Sequence, residues 1–290
     1  MRPVYTSDTL DDTSIRLGVI GNPIAHSKSP QMQQAVLDAD NRACTYVRLL
    51  SGTEEGAFEH TLEQLAQHGF IGANVTVPFK KKAFAAATQA DALSTLCGAA
   101  NTLVRSGNEW HCHNTDGPGF ERAILELSGH ELRELRIVIL GACGGAGSAL
   151  SCQCVLSGCR HLTLVNRPRP ELQALQIQLQ AHAAGEILAL HFDRPELQQA
   201  VSEADLIVNA TSLGLHEGDP LPLNADWLRA GQTVYDIVTH STPLQRIAAE
   251  RGCTASDGLG MLLWQGAYAY RHWFGNLPDI ELMRRALLRA

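Results

Sequence analysis

The sequence predicts an α/β protein of two domains, the second a doubly wound parallel sheet. Three observations carry this prediction. At 290 residues the chain has room for two domains of roughly 100–200 residues each. Short apolar runs alternate with helix-like stretches through most of its length. Near its middle, a branched apolar run leads into a cluster of glycines and then a helical pattern. With 45% apolar and 18% charged residues, the composition is that of a folded globular protein.

In chain order, residues 1–14 are a polar lead-in expected to fray. RLGVIG (16–21) reads as a strand, 29–39 as a helix, TYVRLL (45–50) as a strand, 54–68 as a helix and GANVTV (72–77) as a strand. This β-α-β-α-β order predicts a parallel sheet covered by helices. NTLVRSGNEWHCHNT (101–115) breaks the pattern, because two short strands flank Ser-Gly-Asn, the signature of a hairpin. After Asp116 a second series starts: RIVILG (136–141), HLTLVN (161–166), ILALHF (187–192), DLIVNA (205–210) and TVYDIV (233–238) are five strands with helical spacers, as a doubly wound domain requires. Two helices, 259–274 and 279–289, close the chain without a strand of their own. They are expected to pack on the first domain, so the predicted division is 1–117 plus 258–290, and 118–257.

A formal net charge of -7 argues against a nucleic-acid or anionic-membrane partner. No apolar run approaches the roughly 20 residues that cross a bilayer, and the first residues lack the basic start and apolar middle of a secretory signal. A cytoplasmic location is the expectation. None of the 8 cysteines forms a C-x-x-C pair, and Cys152 and Cys154 read as buried helix positions. In a strand, His111 and His113 share one face while Cys112 points away. No metal site is therefore predicted.

The strand 136–141 followed by Gly141, Ala142, Cys143, Gly144, Gly145, Ala146 and Gly147 has the strand–turn–helix context of a dinucleotide-binding loop. Glycine there lets a pyrophosphate reach backbone amides, and the helix N-terminus adds partial positive charge. The best glycine series is 141, 144 and 147, which departs from G-x-G-x-x-G. At the end of the next strand, an acidic residue would bind a ribose hydroxyl, whereas arginine accommodates a 2′-phosphate. The sequence there is Asn166-Arg167-Pro168-Arg169, so NADP is favoured and NAD is the alternative.

Lysine occurs only at 28, 80, 81 and 82, against 19 arginines. A lysine placed directly after a strand and Pro78 suits proton transfer, because arginine keeps its proton at any working pH. Lys80 is expected on a loop at the carboxyl end of the sheet. Lys81 and Lys82 read as solvated.

GNPIAHSKSP (21–30), GANVTVPFK (72–80), GAANTL (98–103), NTDGPGF (114–120) and DGLGMLLWQGA (257–267) resemble the signature segments of shikimate dehydrogenases, in order and across nearly the whole chain. The resemblance implies a substrate-binding α/β domain joined to a Rossmann domain. It also implies interconversion of 3-dehydroshikimate and shikimate with NADP(H), or in some members of quinate and related acids with NAD(H). Ser27 and Ser29 would bind the substrate carboxylate, and Asn74, Thr76, Asn101 and Gln265 the ring hydroxyls. Lys80 and Asp116 would transfer the proton. The implied cofactor contacts are Gly141, Ala142, Gly144, Gly145, Ala146, Asn166, Arg167, Arg169, Thr211, Gly258 and Met261. A monomer or homodimer is expected. Three features depart from the family pattern. The glycine turn carries one extra residue at Cys143, and a tyrosine within D-x-x-Y-x-P-x-x-T-P is missing from Asp236-Ile-Val-Thr239-His-Ser-Thr-Pro243. Trp264 stands where histidine is common. Alternatives are a quinate or amino-shikimate dehydrogenase, or a weakly active shikimate-binding homologue.

Overall fold

The structure, a computed structural model, describes residues 3–10 and 12–289. The chain divides into two compact units, Met1–Thr115 with Leu263–Ala290, and Asp116–Leu262.

The first unit contains strands β1 (Val4–Tyr5), β2 (Ile15–Gly21), β3 (Thr45–Leu50), β4 (Gly72–Val75), β5 (Gln89–Ala90), β6 (Thr102–Ser106) and β7 (Glu109–His113). Its helices are α1 (Ser29–Ala39), α2 (Ala57–Gln67), α3 (Lys80–Ala85) and α4 (Ala92–Cys97). The strands form one sheet in the order β1-β3-β2-β4-β6-β7-β5. The β1, β3, β2 and β4 neighbours run parallel, and β6 turns antiparallel to both β4 and β7. The parallel expectation thus holds for the crossover-connected strands and gives way at the β6–β7 hairpin, since a two-residue turn can join only antiparallel strands. Ser106 pairs with Glu109 across that turn.

The core under this sheet gathers Ile20, Leu49, Phe58, Phe70, Phe79 and Leu103. Two expectations are corrected here. The lead-in is anchored, because Val4 and Tyr5 pair in parallel with Arg48 and Leu49; two residues are too few to show a strand periodicity. Lys80 opens helix α3 rather than lying on a loop; Pro78 ends the strand segment, and the helix begins two residues later. The part of the lead-in at residues 1, 2 and 11 lies outside the described residues.

The second unit contains α5 (Asp116–Ser128), β8 (Arg136–Leu140), α6 (Gly145–Leu156), β9 (His161–Asn166), α7 (Pro170–Gln180), β10 (Glu186–His191), α8 (Glu196–Glu203), β11 (Leu206–Asn209), β12 (Thr233–Asp236), α9 (Pro243–Glu250) and β13 (Thr254–Ser256). All six strands are parallel, in the order β10-β9-β8-β11-β12-β13. That order places the reversal between β8 and β11, the point where a doubly wound sheet binds its ligand. Six strands replace the expected five, because β13 is three residues long and only partly buried. Val138, Leu140, Val165, Ile207, Val234 and Leu244 form the core on one face.

Helix α10 (Leu259–Phe274) runs through the second unit boundary, and α11 (Ile280–Leu288) follows. Within the first unit, α11 packs on α1. Gly266 permits a close approach of α10 to α1, since a Cβ there would lie 2.3 Å from Met32 Cε. Among the described residues no helix is long and apolar enough to cross a membrane.

Candidate active site

In the first unit the polar side chains collect at the carboxyl edge of the parallel strands. Ser27 and Ser29 follow β2, Thr76 and Lys80 follow β4, and Asn101 precedes β6, whose antiparallel direction brings its start to the same edge. The buried Tyr46 hydroxyl donates to Asn74 Oδ1 at 2.7 Å. Burial pushes this phenol well above its usual pKa, with Ser29 and the Arg48 charge pulling the other way. Tyr46 is therefore a neutral donor at working pH. Asn74 Nδ2 donates to the Asn101 carbonyl at 3.2 Å and to Thr102 Oγ1 at 3.1 Å. One lone pair of Asn74 Oδ1 is left for a ligand.

Asn101 Oδ1 accepts the Thr115 N–H at 2.7 Å, the Thr115 hydroxyl at 3.1 Å and the Thr102 hydroxyl at 3.2 Å. Its Nδ2 donates to Gln265 Oε1 on α10 at 3.4 Å. Ser27 is set differently: Arg48, 2% exposed, donates from Nε to the Ser27 carbonyl at 3.0 Å and from Nη2 to Gln31 Oε1 at 3.1 Å. A buried guanidinium stabilises only when its donors are met, and these bonds fix the loop between β2 and α1. Lys80 is half-buried at the first turn of α3, with its carbonyl accepting the Ala100 N–H at 2.9 Å. Asp116 opens the second unit, directly after Thr115.

Sequence reasoning missed Tyr46 and Arg48. The available signal was a tyrosine and an arginine at i and i+2, hence on one face, inside an otherwise apolar strand.

In the second unit, a cavity of about 730 Å³ lies at the carboxyl ends of the strands, lined by Gly141, Gly144, Asn166, Arg167, Arg169 and Thr211, with Trp227 and other apolar residues. Gly141 has a φ of +85°, and a Cβ there would stand 2.9 Å from the Ala210 backbone. A Cβ on Gly147 would stand 2.2 Å from the Gly141 carbonyl oxygen. The turn at Gly141 is closed by the Gly144 N–H donating to the Gly141 carbonyl at 3.0 Å. Cys143, within this turn, is partly exposed. Ala142 lies buried beneath the turn, and Gly145 and Ala146 begin α6. Asn166 is 8% exposed, and its Nδ2 has no hydrogen-bond partner. An unmet buried donor costs about 1–3 kcal/mol, so an acceptor supplied by a ligand would offset that cost.

The wall beyond β11 and β12 is held by a buried pair. Asn209 Oδ1 accepts the Thr211 N–H at 3.1 Å and its hydroxyl at 2.7 Å, while Nδ2 donates to Asp236 Oδ1 at 3.1 Å and the Leu213 carbonyl at 3.1 Å. Asp236 also accepts the Val238 N–H at 3.1 Å and the Thr242 hydroxyl at 2.8 Å. Burial pushes the Asp236 carboxyl up, against these donors. Gly258 sits where a Cβ would come 2.2 Å from the Ile237 oxygen, and the Met261 N–H donates to the Tyr235 hydroxyl at 3.0 Å. Gly258 and Met261 thus border this wall rather than the described cavity. Among the described residues no group of three or more His, Cys, Asp and Glu side chains could hold a metal ion.

A shikimate dehydrogenase (NADP(+)) of Roseobacter denitrificans is 37% identical over 273 residues, covering 93% of this chain and 95% of that protein. The chain belongs to the shikimate dehydrogenase family. The family's substrate binding domain matches residues 19–103, and its shikimate 5'-dehydrogenase C-terminal domain matches residues 258–288. Shikimate 5-dehydrogenase from Listeria monocytogenes, solved with shikimate and NAD, superimposes with a TM-score of 0.86 at 29% identity, over 94% of this chain and 96% of that one. Quinate dehydrogenase from Corynebacterium glutamicum, solved with NAD, has a TM-score of 0.85 at 28% identity, over 95% and 99%.

Proposed function

We propose that this protein is an NADP-dependent oxidoreductase interconverting shikimate and 3-dehydroshikimate. The observation that carries the substrate half is the hydrogen-bonded chain of Tyr46, Asn74, Asn101 and Gln265 in the first unit. Short polar side chains locked to one another and to rigid strands suit a small polyhydroxy acid, which loses affinity steeply when any hydroxyl goes unmatched. Ser27 and Ser29 would bind the carboxylate. Asn74, Thr76, Asn101 and Gln265 would hold the ring hydroxyls, Asn74 through its remaining Oδ1 lone pair.

Lys80 and Asp116 form the proton-transferring pair in this reading. In the reductive direction the Lys80 Nζ gives a proton to the carbonyl oxygen, and in the oxidative direction it receives the hydroxyl proton. Asp116 orients the ammonium.

The second unit fits a phosphorylated dinucleotide. Gly141, Ala142, Gly144, Gly145 and Ala146 would let the pyrophosphate approach the start of α6. Asn166 Nδ2 would donate to the adenosine ribose, and Arg167 and Arg169 would take the 2′-phosphate. Thr211, Gly258 and Met261 would border the nicotinamide end. When bound, the cofactor supplies the hydride acceptor or donor. The curated NADP(+) relatives support this choice over NAD.

Initial rates with shikimate and quinate against NADP+ and NAD+ test the reading. Shikimate with NADP+ should give the highest kcat/KM. A higher value for quinate with NAD+ would overturn it in favour of the second acid.

A further inference from the structure

A second cavity, of about 590 Å³, lies beside the cofactor cavity at the carboxyl ends of β9 and β10, and Arg169 lines both. Its polar lining is Arg169, Gln173, His191 and Arg194, with no carboxylate among the lining residues. The two strands end flush, since His191 pairs with Asn166 in the sheet register. The chain then turns sharply: the Arg194 N–H donates to the His191 carbonyl at 3.2 Å, and the Leu197 N–H to the Arg194 carbonyl at 3.1 Å. This turn presents Arg194 to the same cavity as Arg169, with Pro168 and Pro170 at the start of α7 completing the wall. The 11-residue α7 contributes the positive end of its dipole there.

Arg194 has an ion pair with Glu196, 3.6 Å apart with both side chains more than half exposed. Such a pair contributes little, whereas a guanidinium on a phosphate makes short, charge-assisted bonds. At the adjoining end of β9, the buried and unpartnered Asn166 Nδ2 lines the cofactor cavity that Arg169 shares with this one.

We propose that Arg194 is a specificity-determining residue that, with Arg169, clasps the 2′-phosphomonoester of the cofactor in this cavity. The turn after β10 then shares the choice between phosphorylated and unphosphorylated dinucleotide with the end of β9. Pro168 and Pro170 explain the need. They bracket Arg169 and fix its backbone, and Arg167 lines the cofactor cavity but not this one, so a second guanidinium in this cavity comes from the neighbouring strand. The inference rests on the NADP reading above.

The test is calorimetric titration of the full chain with adenosine 2′,5′-bisphosphate and with AMP, using wild type and R194Q. Arg194 is exposed, so the variant should fold, and its unfolding midpoint checks this. Wild type should bind the bisphosphate at least tenfold more tightly than AMP. R194Q should lose about tenfold for the bisphosphate, about 1.4 kcal/mol, and nothing for AMP. An R194Q ratio equal to that of wild type overturns the role of Arg194 and leaves the NADP reading standing. A wild type without preference overturns both. Equal losses for the two ligands also overturn it, since they would reflect a general defect in the cavity.

Discussion

Acidification should destabilise the first unit through one imidazole, His272 on α10. Its ring stacks on that of His113 with centroids 3.8 Å apart and an interplanar angle of 19°. His113 Nδ1 lies 3.7 Å from Asp91 Oδ2. Burial, then the charges of His113 and Arg271, push His272 down to about 4, with Asp91 opposing. The unfolded chain takes up this proton near 6.5. Between about 6.5 and about 4 the unfolded state therefore holds more protons, and stability must fall as pH falls through that window, levelling out below it. The gap corresponds to roughly 3 kcal/mol at full effect, and solvent screening of a half-buried ring leaves about 1–2 kcal/mol. Asp91 acts in a lower window. Burial raises its pKa, but His113 and the Ser94 and Asn114 donors lower it further. Its contribution is therefore lost only as pH falls below the ordinary carboxylate range. Urea unfolding at pH 7.5, 5.5 and 4.5 isolates the His272 effect, because all three lie above the Asp91 window. Wild type should lose about 1–2 kcal/mol more than His272→Gln between the first and last of these. Parallel curves for the two proteins would refute the assignment.

Two substitutions separate the halves of the site. Tyr46→Phe removes the donor to the buried Asn74 oxygen. It should cost about 1–3 kcal/mol of stability and raise KM for shikimate several-fold with KM for NADP+ unchanged, as steady-state kinetics would reveal; equal changes in both would contradict the assignment. Gly147→Ala puts a methyl 2.2 Å from the Gly141 carbonyl oxygen, where only backbone movement can relieve it. Titration should show at least a tenfold loss of NADP+ affinity and unaltered shikimate affinity.

Much of the fold was legible because its signals are local. The branched run 136–140 before a glycine cluster needs no tertiary knowledge, and the Ser106–Glu109 turn sits between alternating strands. β1 and β13 were not legible: each is two or three residues long and exists because a neighbouring strand offers hydrogen bonds. Helix α3 was hidden by the Pro78 stop, so Lys80 read as a loop residue.

In the candidate site, the residues with polar side chains in turns stood out, but those that hold them did not. Arg48 and Tyr46 lie inside a strand whose apolar pattern masks them, and their partners Ser27 and Asn74 are 21 and 28 residues away. Asn209 and Asp236 meet only because β11 and β12 are sheet neighbours. Arg194 and Arg169 line one cavity because β9 and β10 are sheet neighbours. Strand order is a tertiary property, and that is the part the sequence alone left open.

The most direct test of the central claim is kcat for Lys80→Ala at saturating shikimate and NADP+, with shikimate affinity titrated in the same preparation. Loss of proton transfer by a positioned general acid–base predicts a fall of about 10²–10⁴-fold in kcat with shikimate binding retained. Near-normal turnover would contradict the assignment of Lys80 and the proton-transfer scheme built on it.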